Sequence, residues 1–75
     1  MKELLEYIAK SLVEDKDAVS VTEKETDDTV TLELRVAPGD MGKVIGKQGR
    51  IAKAIRVVIR SASARSGKKV IVDIV

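Results

Sequence analysis

The chain has 75 residues, 44% apolar and 35% charged, with Tyr7 as its one aromatic side chain and neither cysteine nor histidine. A chain this short makes one domain with a small core, and lacking thiols and imidazoles it has no disulfide framework and none of the usual zinc ligands. Its net charge of +2 conceals a division: residues 1–40 hold 5 basic and 11 acidic side chains, residues 41–75 hold 9 basic and 1 acidic.

Charge appears at once in Met1-Lys2-Glu3, so no secretory leader is expected. Apolar runs are a few residues long, far short of the roughly 20 that span a bilayer. These features predict a soluble, cytoplasmic protein with no membrane association.

Leu4, Leu5, Ile8, Ala9 and Leu12 share a face at helical spacing, which predicts an amphipathic helix of about three turns. The acidic run Glu14-Asp15-Lys16-Asp17 ends it, and Val19 and Val21 then alternate with Ser20 and Thr22 as in a strand. After a polar turn at Thr26-Asp27-Asp28, Val30, Leu32, Leu34 and Val36 alternate with Thr31, Glu33 and Arg35, the clearest strand signal in the chain. Pro38-Gly39 breaks the sheet, and Asp40 is expected to cap a short helix over Met41–Ile45.

Beyond Gly49 a longer helix is expected, with Ile51, Ile55, Val58 and Ala62 on its core side and Lys53, Arg56 and Arg60 opposite. Ser66-Gly67 closes it, and Lys69–Val75 reads as a last strand with Val70, Val72 and Ile74 on one face. The order is α-β-β-α-α-β. An antiparallel hairpin followed by a right-handed parallel crossover gives an α+β fold: a three-stranded mixed sheet covered on one face by three helices. No linker or repeat divides it, so residues 1–75 are expected to form one domain.

Between the last two helices stands Val44-Ile45-Gly46-Lys47-Gln48-Gly49-Arg50-Ile51, a basic turn bracketed by glycines and wedged between apolar pairs. Glycines at both ends let a ligand approach the main chain closely. The amides of Gly49, Arg50 and Ile51 are expected to lack internal partners and to attract anions. A Walker A loop does not fit, because three residues separate Gly42 from Gly46 and Gln48 stands where a Mg²⁺-binding hydroxyl belongs. Ser61 and Ser63 have no histidine base, so no enzyme is expected.

This segment resembles the signature of KH domains, in which a GXXG loop joins two helices and clamps a nucleic-acid backbone. The element order resembles the type II version, and the likeness spans nearly the whole chain, as in small stand-alone bacterial KH proteins of the KhpA type. The resemblance implies that Gly46, Lys47, Gln48 and Gly49 contact about four nucleotides of single-stranded RNA. It further implies that Val44, Ile45 and Ile51 line or support an apolar groove floor whose far wall is the strand Val30–Val36. Lys43, Arg50 and Lys53 flank the loop, and Arg56 and Arg60 extend the cationic track.

Paired glycines also mark helix–helix turns that hold no ligand, and a cationic helix face is often merely solvated. Val57, Val58 and Ile59 are consecutive and cannot all face one core, which fits either ordinary packing of Val58 with partly exposed neighbours or a two-fold interface that buries Val57 or Ile59. The resemblance implies homodimerisation, pairing with a larger KH protein of the KhpB (Jag) type, and a role in cytoplasmic RNA metabolism, with no cofactor or metal. The competing reading is a protein-pairing assembly module with incidental RNA affinity.

Overall fold

Alternation in the middle of the chain sets the sheet. The computed structural model describes residues Met1–Val75, with helices α1 (Lys2–Leu12), α2 (Met41–Ile45) and α3 (Arg50–Ala62) and strands β1 (Ser20–Glu25), β2 (Thr29–Arg35) and β3 (Lys69–Ile74). Single 3-10 turns cover Lys16–Ala18, Pro38–Asp40 and Lys47–Gly49.

The sheet order is β1-β2-β3, so β2 is central. It pairs antiparallel with β1, Val21 opposite Leu34, and parallel with β3, Leu32 opposite Val72. This is the predicted mixed sheet, and the whole is a type II KH-like α+β fold. Val30, Leu32, Leu34, Val70 and Val72 point under the helices, as a period of two requires of a sheet with one covered face. The open face carries polar side chains, among them Lys24 and Glu33 in an ion pair at 3.2 Å.

Helix α1 lies over β1 and β2, α3 lies beside β3, and α2 leans chiefly on α3. Leu5, Leu32, Leu34, Val44 and Ile59 are completely buried at the centre. Leu4, Ile8 and Leu12 pack at its margin.

The expected core face of α3 needs correction. Ala52, Ile55 and Ile59 are buried, Ile51 is half-buried, Ala62 is exposed, and Val58 is 46% exposed. A stripe through 52, 55 and 59 satisfies helical spacing as well as one through 51, 55 and 58, so periodicity alone left the rotation of α3 open by about one residue. Ile59 is thereby removed from any interface with another molecule, while Val57, 55% exposed, and Val58 remain on the surface.

Candidate nucleic-acid interface

The loop takes its form from two glycines. Gly46 stops α2 with φ 76° and ψ 174°, a conformation essentially closed to residues bearing a Cβ. A Cβ there would also lie 2.5 Å from Cγ1 of Ile51, so the Ile51 side chain packs directly against the Gly46 main chain. Gln48 (φ 58°, ψ 26°) and Gly49 (φ 73°, ψ 12°) are both left-handed, which turns the chain into α3. Arg50 Nη2 donates to Gln48 Oε1 at 3.3 Å and draws that side chain back toward the helix.

Two of the three amides expected to be unpartnered are already in use. The Gly49 N–H donates to the Gly46 carbonyl and the Arg50 N–H to that of Lys47. The N–H groups of Lys47 and Gln48 have no protein acceptor, so the donors available to an anion sit at the tip of the loop. The tight turn that Gly46 and Gly49 permit uses the two later amides internally, which residue letters alone did not reveal.

Behind the loop, Asp40 occupies the N-cap position of α2 without capping it. Its carboxylate instead accepts the backbone N–H groups of Glu14 at 3.3 Å and Asp15 at 3.1 Å. Lys43 Nζ bridges the same carboxylate at 3.4 Å and Glu14 at 2.9 Å. The Asp15 amide bond, helped by Glu14 and Lys43, holds the Asp40 carboxyl below its usual value against the opposing effect of burial. The hydrogen bond to Glu14, with Asp40 adding to it, raises the Lys43 ammonium. Lys43, expected to reach phosphates, here pins α2 onto the end of α1 with its side chain still partly exposed, a role sequence reasoning missed for Asp40 as well. The one trace of it in the sequence is Asp40 itself, the last acid before a long basic stretch.

The remaining cations are placed differently. Lys47, Arg50, Lys53, Arg56 and Arg60 form no ion pair. Arg56 Nε donates to the Val72 carbonyl at 3.2 Å, which fixes the α3 cation flank against the edge strand β3. A concavity of about 170 Å³ lies there, lined by Arg56, Arg60, Val70, Ile71, Val72 and Asp73.

The far wall is thus β3 and not the strand Val30–Val36, because β2 is the central strand and only β3 presents an edge to α3. The crossover connection held this information, since α3 leads directly into β3. Val44 is completely buried and supports the loop from beneath, Ile51 braces Gly46, and Ile45, 37% exposed, is the apolar side chain of the motif that faces outward.

On its other flank α3 is apolar. It stands apart from α1 across a groove of about 480 Å³ lined chiefly by Leu4, Tyr7, Ile8, Ile51, Ala54 and Val58. Tyr7 is 72% exposed there and Arg50 lines the same groove, whereas Arg56 and Arg60 lie on the flank of α3 that meets β3. One helix thus separates a basic trough from an apolar groove.

Comparison with known proteins agrees with this architecture. A family model described as the KhpA/KhpB KH domain matches residues 2–74. The chain is 60% identical to the RNA-binding protein KhpA of Clostridium acetobutylicum over 75 residues, which is 100% of both chains. It is 57% identical to the RNA-binding protein KhpA of Clostridium perfringens, again over 100% of both. With the RNA-binding protein KhpA of Aquifex aeolicus it shares 50% identity over 99% of this chain and 94% of that one. With the glycine loop, the α-β-β-α-α-β order and a full-length match in agreement, the chain belongs to the KhpA/KhpB family of KH-domain proteins.

Proposed function

We propose that this chain is a non-catalytic binder of single-stranded RNA whose Gly46–Gly49 loop clamps the backbone of about four nucleotides. The observation that carries the reading is the pair of unpartnered amides at Lys47 and Gln48, beside cations that have no carboxylate partner. A phosphate docked there receives charge-assisted hydrogen bonds, stronger than neutral ones, and the names of the relatives support RNA as the ligand class.

Bases would lie over β3. Lys69 donates its N–H to Asp28 and Val75 to Leu34, so odd-numbered residues of this stretch bond inward and even-numbered ones face the open edge. Val70, Val72 and Ile74 can then offer main-chain groups to base edges, although Arg56 already occupies the Val72 carbonyl. With no Phe or Trp in the chain, Ile45 and Ile71 supply apolar contact in place of aromatic stacking.

A second copy would occupy the groove between α1 and α3. Pairing there covers Tyr7 and Val58, leaves the cationic flank free, and joins two weak sites into one avid binder. A KhpB-type KH protein is the competing occupant. No helix is long and apolar enough to cross a membrane, and we place the protein in cytoplasmic RNA metabolism.

The same groove favours the alternative of an assembly module with incidental RNA affinity, and one experiment separates the two. Replacing Lys47 and Gln48 together by Asp puts anions where phosphates should sit. Loss of about tenfold or more in RNA affinity, with melting and oligomeric state unchanged, supports the clamp. Undiminished RNA binding refutes it and leaves the assembly reading.

A further inference from the structure

We propose that the trough continues past the clamp to a second phosphate-holding subsite at the far end of α3, built from Arg60 and Lys69. The inference rests on the RNA-binding reading above and extends it to a longer footprint. The end of α3, the turn after it and the start of β3 enclose a concavity of about 280 Å³, lined by Arg60, Ser63, Ala64, Gly67, Lys68, Lys69 and Val70. It shares Arg60 and Val70 with the concavity beside Arg56, so the two form one continuous trough.

Three cations line this end, and they are not equivalent. Lys68 Nζ is held by Glu25 at 2.6 Å and donates to the Thr26 carbonyl at 3.3 Å, so its charge is spent on the β1–β2 hairpin. Arg60 and Lys69 have no carboxylate partner. Carbonyls at the end of α3 would repel a phosphate if bare, but those of Ile59, Arg60 and Ser61 accept the N–H groups of Ser63 and Ala64, and Arg60 also accepts Ser63 Oγ. No carboxylate side chain is among the residues lining the concavity.

Position fixes which part of a strand arrives here. Helix α3 runs about 20 Å at 1.5 Å per residue, and it runs antiparallel to β3, because Arg56 bonds Val72 while Arg60, further along the helix, lies by Lys69 and Val70, nearer the start of the strand. The clamp therefore lies at the Ile74 end of β3 and the Arg60–Lys69 pair at the opposite end. Asp73 stands between them on the clamp side and disfavours a phosphate at its own level. A strand anchored at the loop meets its next free cations only beyond Arg56, which adds one or two nucleotides to the four of the clamp.

The test measures binding of oligouridylates of four and six nucleotides against salt, for the wild type, Lys69→Glu, Lys10→Glu and the Lys47/Gln48 double Asp variant. Register counting alone gives a hexamer about threefold over a tetramer at a four-nucleotide site. The subsite predicts a larger gain for the wild type and a log K against log salt slope steeper by about −0.7 to −1.4, for one or two added phosphates. Lys69→Glu abolishes the extra gain and the extra slope while leaving tetramer binding in place. Lys10→Glu, the same charge change on exposed α1, leaves both. Equal slopes for the two lengths, or equal weakening of both lengths by Lys69→Glu, overturn the subsite. Tetramer binding undiminished in the double Asp variant instead overturns the clamp, so the two failures are distinguishable.

Discussion

The two glycines of the loop are alike in sequence and unlike in consequence. At Gly46 a methyl group meets both a forbidden backbone conformation and the Ile51 side chain, with Cγ1 at 2.5 Å and Cβ at 2.8 Å. Backbone strain and overpacking each cost about 1–3 kcal/mol, so Gly46→Ala should destabilise by about 2–6 kcal/mol. At Gly49 the space is open and only the left-handed φ of 73° opposes a side chain, so Gly49→Ala should cost about 1–2 kcal/mol. Urea denaturation of the two variants checks the order; equal losses would mean that Ile51 does not brace the loop.

Asp40 and Lys43 tie the loop's supporting helix to the rest of the molecule, and their charges give the tie a pH dependence. The folded pKa of Asp40 is depressed, so its stabilisation is present above the unfolded value near 3.9 and disappears as pH falls through the folded value. That of Lys43 is raised, so its share is present below about 10.4 and is lost as pH rises through the folded value. Asp40→Asn should therefore melt earlier than the wild type at neutral pH, and the two curves should converge in acid. A difference that persists unchanged to the lowest pH would show that the carboxylate's charge plays no part.

At the scale of elements, α3 presents three faces: Ile55 and Ile59 in the core, Arg56 and Arg60 toward β3, and Ile51, Ala54 and Val58 toward α1. Its mutational profile follows. Ile59→Ala should cost about 2–5 kcal/mol in stability, as other buried Ile→Ala changes do. Val58→Ala should stay within about 0.5 kcal/mol, while Val58→Asp should shift sedimentation toward monomer. A large stability loss at Val58 would contradict the rotation of the helix described above.

Most of the fold was legible because alternation and helical period are independent of everything else in the chain. Val30 through Val36 could face only one way as a strand, and Pro38-Gly39 could not continue it. What sequence left open was relational. The rotation of α3 differed by one residue because two stripes fit, the far wall moved from β2 to β3 because strand order decides which edge meets α3, and the free amides moved to Lys47 and Gln48 because the turn closes on itself. Lys43 was expected at the phosphates for want of knowledge that Glu14 and Asp40 lie beside it.

In the whole molecule, the charge division written along the chain becomes a division in space. A body 35 × 23 × 17 Å in extent carries unpaired Lys53, Arg56, Arg60 and Lys69 on α3 and β3, and half of its twelve acids on α1, β1 and the hairpin turn. Polyanions approach such a molecule in a preferred orientation. The largely apolar groove between α1 and α3 lies across that helix from Arg56 and Arg60, so the proposed pairing surface and the proposed RNA track occupy different flanks.

All of this depends on two main-chain donors standing unsatisfied at the tip of the loop. Titration of the ¹⁵N-labelled protein with a four-nucleotide uridylate, followed by NMR, tests that directly. The account predicts that the Lys47 and Gln48 amide resonances move farthest, with Lys53 and Val72 following and Tyr7 still. Loop resonances that stay fixed while others shift would contradict it.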